Sequence, residues 1–224
     1  MGRVGVGLDI FKIKAIPTLF WSSPTTLTVK PPLVSFVVLI LGLVLFGLGE
    51  ALLIAAGVGV SPWTVLAQGV SIQTDLSLGT STAIVSSFVL FLWVFLQQTP
   101  GLGTIFNIIV ISIVLDVSVP YLPTFETPIF NMLLAATGVL LTGFGGAIYL
   151  IANLGPGPRD GLMTGLQRMT GSPIALIRGS IEVTVVLLGA LLGGVVGIGT
   201  LLFAFGIGPA LALSMLLLLK VFDP

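Results

Sequence analysis

The chain has 224 residues, of which 56% are hydrophobic and only 7% charged, and its mean hydropathy is +1.22. Soluble domains of this length are about a quarter charged, so the composition is that of a membrane protein. Zero formal net charge argues against nucleic acid as a partner, and the lack of Cys and His excludes disulfides, thiolate nucleophiles, imidazole proton shuttles and the usual transition-metal sites. Any catalysis would have to rest on carboxylates, hydroxyls, Lys or Arg, so the expectation is a protein that is not an enzyme and has neither cofactor nor metal.

Residues 1–31 lack the apolar run and small-residue cleavage site of a signal peptide. Arg3, Lys12, Lys14 and Lys30, interleaved with Phe11, Phe20 and Trp21, read either as an arm on an anionic membrane surface or as a positive tail that sets orientation. A helix needs about 20 apolar residues to cross the hydrocarbon layer. Six segments qualify: Leu33–Ala56, Leu76–Leu96, Leu102–Val119, Ile129–Ala152, Ile174–Gly193 and Ile198–Val221. Two more, Pro62–Gln73 and Pro158–Thr170, are helical in pattern but only about 18 Å long, too short to cross. With the N-terminus inside, six crossings put Arg3, Lys12, Lys14, Lys30, Arg159, Arg168, Arg178 and Lys220 on the cytoplasmic side. The outer connections carry Asp75 and Glu126. Both termini are therefore expected in the cytoplasm.

Displaced by 96 residues, the sequence matches itself. "GLVLFGLGEALLIAAGVGVSPWTVLAQG" falls on "GVLLTGFGGAIYLIANLGPGPRDGLMTG", aligning Gly42 with Gly138, Gly49 with Gly145, Gly59 with Gly155, Pro62 with Pro158 and Gly69 with Gly165. Each half holds three crossings, and an odd number makes the second half enter from the opposite side. The expected fold is an all-α membrane protein of six transmembrane helices plus two short amphipathic or re-entrant helices, built as an inverted 3+3 repeat. The divisions are an arm over 1–31, a first repeat over 32–119, an external connector over 120–127 and a second repeat over 128–221.

Pro62 and Pro158 suit the first turn of a helix, and Gly59 and Gly155 permit the positive φ and close approach of a break before it. Polar residues follow at helical spacing: Thr64, Gln68 and Ser71 in one copy, Asp160, Thr164 and Gln167 in the other. Such breaks either re-enter the bilayer to line a site or lie flat at its surface. Arg178 and Glu182 are four residues apart in a crossing helix and share a face. Together with Arg159 and Asp160 they form either a solute or ion site or an internal ion pair. Glu50 faces the Gly42, Gly47 and Gly49 stripe and either reaches the outer headgroups or is the candidate from the first half, with Ser61 at the adjoining helix start. Asp116 reads as interfacial. Trp63, Trp93, Tyr121 and Tyr149, near predicted helix ends, read as an aromatic belt. Gly189, Gly193 and Gly197 have close-packing spacing, usable within the bundle or between subunits.

"GVGVSPWTVLAQG", "LGPGPRDGLMTGL", "IRGSIEVTV" and "VGIGTLLFAFGIGP" resemble the YczE-like branch of the YitT/YczE group of bacterial integral membrane proteins. The resemblance spans nearly all of Leu33–Leu219 and implies a bacterial inner-membrane location. It carries no reaction and no ligand residues. The reading that follows is a small secondary transporter or permeation protein for an anionic or zwitterionic solute, with Arg159, Asp160, Arg178, Glu182, Glu50, Ser61 and Thr164 at the site. Gly59, Pro62, Gly69, Gly155, Pro158 and Gly165 would supply its backbone. The alternatives are a scaffold that binds another membrane protein through its glycine faces, or forms a homodimer, and an intramembrane catalyst using Glu182 or Asp160.

Overall fold

The computed structural model describes residues 16–222, which form eight α-helices and one 3-10 turn. In chain order they are α1 Leu33–Ala55, α2 Pro62–Thr74, α3 Leu78–Phe95, α4 Leu102–Ser118, the 3-10 turn Val119–Tyr121, α5 Pro128–Ile151, α6 Pro158–Thr170, α7 Ile174–Leu191 and α8 Ile198–Phe222. Six of these helices are long and apolar enough to cross a membrane, and α2 and α6, at 13 residues each, are not among them. Arg3, Phe11, Lys12 and Lys14 lie outside the described residues.

The helix limits follow local chemistry. Pro62, Pro128 and Pro158 open α2, α5 and α6, where a missing N–H costs nothing. Asp75 and Gly171 close α2 and α6 in the left-handed conformation. Asp116, near the end of α4, caps the start of α3. Its Oδ1 accepts the Gly79 N–H and its Oδ2 the Ser77 hydroxyl, both at 2.7 Å. An acid there meets the unpaired amides of a helix start.

The centre is the antiparallel pair α1 and α5, with α4 packed on α1 and α8 on α5. Glycines set its closeness. A Cβ on Gly42 would lie 2.6 Å from the Tyr149 amide nitrogen, and one on Gly138 would lie 2.7 Å from the Gly49 carbonyl. One on Gly49 would overlap Thr142, and one on Gly145 would overlap the Phe46 amide. Backbone-to-backbone contact of this kind replaces the hydrophobic drive that is missing between helices in lipid. Gly189 and Gly197 are likewise consumed inside the chain, against Val65 and Val58. On the outer surface large apolar side chains such as Val94, Leu191 and Phe205 are exposed, as lipid-facing residues are.

Helices recur at the 96-residue spacing. The α2 and α6 limits correspond residue for residue, as do those of α3 and α7. Gly59 and Gly155 both have φ of 109°, a conformation a side chain would strain. The contacts are exchanged between the halves. Gly199 at the start of α8 donates to the Val58 carbonyl at 2.8 Å, and Gly103 at the start of α4 donates to the Leu154 carbonyl at 2.6 Å. Thr200 and Thr104 then accept the Gly197 and Gly101 amides at 3.2 and 3.1 Å.

The described part of the arm is not spread over a surface. Leu19 and Trp21 are buried against α5 and α8 with Ala147, Ile151, Met215 and Leu218, and the Trp21 ring meets Phe222 edge-on at 4.8 Å. Ser22 donates to the Ile151 carbonyl at 2.5 Å and Ser23 N–H to that of Ala152 at 2.9 Å. These bonds satisfy carbonyls left open where α5 ends. Phe20 remains exposed.

Candidate functional site

The chain breaks between α1 and α2 and between α5 and α6 both turn inward and start a new helix beside the α1–α5 pair. The two starts meet. The Arg159 guanidinium carbon lies 5.3 Å from the centroid of the Trp63 ring, within cation–π range. Trp63 and Arg159 are the second residues of α2 and α6 and occupy matching positions of the 96-residue repeat.

At the first start, Glu50 on α1 is 2% exposed. Ser61 and Thr64 both donate hydroxyls to its Oε2 at 2.7 Å, and the two hydroxyl oxygens are 2.9 Å apart. Its Oε1 is buried and has no partner among the described residues. Glu50 therefore does not reach toward headgroups; it pins α2 to α1. At the second start, Tyr149 on α5 donates its hydroxyl to Asp160 Oδ2 at 2.9 Å. Asp160 sits in the first turn of α6, where a negative charge faces the positive end of the helix.

Between them is a cavity of about 120 Å³. Arg159, Asp160, Arg178 and Glu182 all line it, so the four charges grouped by sequence do come together. They are not one closed cluster. Arg178 Nε donates to Glu182 Oε1 at 2.8 Å, the i, i+4 pair expected on α7. Arg159 has no hydrogen-bond or ion-pair partner among the described residues, although the Glu50, Asp160 and Glu182 carboxylates are all near enough to act on it electrostatically. A guanidinium has five N–H donors, so both arginines keep donors free for a bound acceptor.

Some expected positions fall elsewhere. Thr164 is exposed and donates back to the Gly161 carbonyl at 3.2 Å, off the cavity. Ser61 reaches Glu50 rather than the cavity lining. Gly69 and Gly165 bring α2 against Leu192 and α6 against Leu96. The belt reading fails for three aromatics. Trp63 and Tyr149 line the cavity, and Trp93 is 2% exposed, donating to the Pro158 carbonyl at 2.9 Å with its ring laid over Gly161. Only Tyr121 of the four, at 86%, lies exposed as a belt residue does. Asn107 and Thr142 also line the cavity and were missed. A lone amide in the apolar run "IFNIIVIS" was the available signal for Asn107.

The relatives agree in kind. An uncharacterized protein of Haemophilus influenzae is 42% identical over 197 residues, covering 88% of this chain and 89% of its own. The uncharacterized membrane protein YczE of Bacillus subtilis is 30% identical over 176 residues, with coverage of 78% and 82%. The uncharacterized protein YyaS of the same organism is 28% identical over 169 residues, with coverage of 72% and 83%. No solved structure matches the chain. Six apolar helices, a relative that is a membrane protein and a family match running over residues 33–215 lead to one conclusion: the chain is a multi-pass membrane protein of the YczE-like group and belongs to the family of unknown function DUF6198.

Proposed function

We propose that this protein is a small secondary transporter that carries an anionic or zwitterionic solute through the bacterial cytoplasmic membrane by alternating access. The observation that carries the reading is the meeting of the α2 and α6 starts, Arg159 over Trp63, beside a cavity lined by two arginines that each keep N–H donors unused among the described residues. Helix N-termini and guanidinium groups both favour acid groups. Discontinuous helices at the junction of two related halves are the common site of secondary transporters.

Inverted halves support the same reading. The exchanged bonds Gly199 to Val58 and Gly103 to Leu154 pair each half's break with the other half's last helix, as a two-fold axis in the membrane plane would. Glu50 lies five residues before the end of α1, about 7 Å below it, and Ser61 returns to that depth. Such a return fits a re-entrant α2 better than one lying flat. The scaffold alternative loses support because the glycine faces it would use already pack α1 on α5 and α2 on α7.

The test is counterflow into proteoliposomes with a panel of amino acids and of carboxylates from acetate to dodecanoate. Saturable flux that disappears in Arg159→Gln and Arg178→Gln, with unchanged thermal melting, supports transport. Flux equal to that of empty vesicles across the panel counts against it. Topology has its own test, helped by the lack of native cysteine. Cysteines at Asp75 and Thr170, at the far ends of α2 and α6, should label from opposite faces. Labelling from one face removes the inversion.

A further inference from the structure

A second, larger space adjoins the charged cavity. It is a cleft of about 820 Å³ between α3 and α7, floored by α2 and α6. Leu66, Val85, Phe88, Leu162, Val185 and Leu188 give its character. Its hydroxyl-bearing residues are Ser180 and Thr184, and Thr184 already donates to the Ser180 carbonyl at 2.8 Å. Trp63 is common to both linings, so the indole beneath the Arg159 guanidinium borders both the polar cavity and the apolar cleft.

The sizes are unequal in a telling way. The polar cavity is much the smaller, about 120 Å³ against about 820 Å³. A compact carboxylate or phosphate group suits it, and its arginines would hold such a group. The cleft is in the range that holds drug-sized ligands, about 300–1,000 Å³. Charge also has a direction. Glu182 takes one donor of Arg178 and Tyr149 holds one oxygen of Asp160, while Arg159 at the positive start of α6 has no acceptor among the described residues. What the lining leaves unmet among the described residues is the set of Arg159 N–H donors, which call for an acceptor.

We infer that the solute is an amphipathic acid, with a compact acidic head at Arg159 and Arg178 and an apolar body lying past Trp63 in the α3–α7 cleft. This rests on the transport reading and narrows it to one class of substrate. Entry is from the side, through the lipid, because the cleft lies between membrane-spanning helices. Trp63 then does two things: its face holds Arg159 in position, and its edge divides head from body.

Photolabelling in phosphatidylcholine nanodiscs tests the inference, with dodecanoic acid carrying a terminal diazirine as the probe. Labels should map to Phe88, Leu92 and Leu188, and dodecanoate should compete while acetate and dodecanol do not. Arg159→Gln should lower labelling roughly tenfold, the loss of one charge-assisted contact, and Arg159→Lys should keep most of it. Thr184→Trp, at an exposed position, should obstruct the cleft and lower labelling without lowering the melting temperature. Labels scattered over the lipid-facing helices, or equal competition by dodecanol, would overturn the acidic-head assignment. Crosslinks between copies when a photoreactive phenylalanine replaces Phe88 would mean that a second chain fills the cleft, which also overturns it. Acetate counterflow separates the two readings. Acetate flux without cleft labelling keeps transport and removes the amphipathic substrate; cleft labelling without flux of any acid does the reverse.

Discussion

The break before α2 and the break before α6 have the same backbone and different chemistry. Both turn at a glycine with φ of 109°, start a helix at proline and lean on the first turn of a helix from the other half. In the first, buried Glu50 gathers two hydroxyls; at the matching position the second has Gly146, and its polar contact is Tyr149 to Asp160. At Gly57 the tip of the first break touches nothing within 4 Å of a would-be Cβ, whereas at Asn153 the second is covered by the arm through Ser23 and Thr26. The shared Gly and Pro place the turn in both breaks, and different side chains then tie each one down. The result is a site with one half mostly pinning and the other mostly charged.

A further contrast is in packing. Trp93 of α3 lies over Gly161 of α6, while at the matching positions Gly189 of α7 lies against the backbone of Val65 and Leu66 on α2. The halves make the matching contact differently, with a ring on glycine in one and glycine on backbone in the other. Truncating Trp93 should be the costliest change. Trp93→Ala is expected to lose about 4 kcal/mol of unfolding free energy, with Val65→Ala losing about 2. Gly161→Val should lose about 3 kcal/mol by overpacking, and pairing it with Trp93→Gly should recover part of that loss. Reversible unfolding in mixed micelles measures all four, and no recovery in the pair would mean that the Trp93 ring does not press on Gly161.

Glu50 sharpens the contrast next. Glu50→Ala strands the Ser61 and Thr64 hydroxyls and should cost about 2–4 kcal/mol, whereas Glu50→Gln keeps a carbonyl acceptor and should cost about 1. Equal losses would mean that the charge acting on Arg159, rather than the hydroxyl contacts, holds the first break. Tyr149→Phe removes the corresponding contact in the second break and should cost about 1.5 kcal/mol, a melting shift of a few degrees. A larger loss than for Glu50→Ala would reverse the ranking of the two breaks. Smallest is the Arg178–Glu182 coupling. Arg178 is 42% exposed, so a double-mutant cycle should give roughly 0.3–1 kcal/mol.

Much of the helix plan could be read in advance. Pro62 and Pro158 mark helix starts wherever they fall, and runs such as Leu102–Ser118 admit no other reading in a chain this apolar. The Arg178–Glu182 pair was legible because four residues bring side chains together on any helix. Glu50 with Ser61 and Thr64 was not, since its partners lie beyond a non-helical break whose course no periodicity predicts. Trp63, Trp93 and Tyr149 were misassigned for a related reason. Nearness to a helix end in sequence says how deep a residue is, but not whether it turns toward lipid or core. Thr164 shares a helical face with Asp160 on paper, yet one turn on, α6 has already left the cavity. The α3–α7 cleft is a gap between elements far apart in the chain and has no local signature.

The amide of Gly199 has a consequence for biosynthesis. A ribosome delivers Val58 long before it delivers Gly199, so the first break must wait for the last helix before its carbonyl is satisfied. Until α8 is inserted, the nascent chain carries an unfinished seam, and release of a truncated product ending before Ile198 would leave that seam open to quality-control proteases. Survival of the product in the cell thus becomes a readout of whether its final helix arrived.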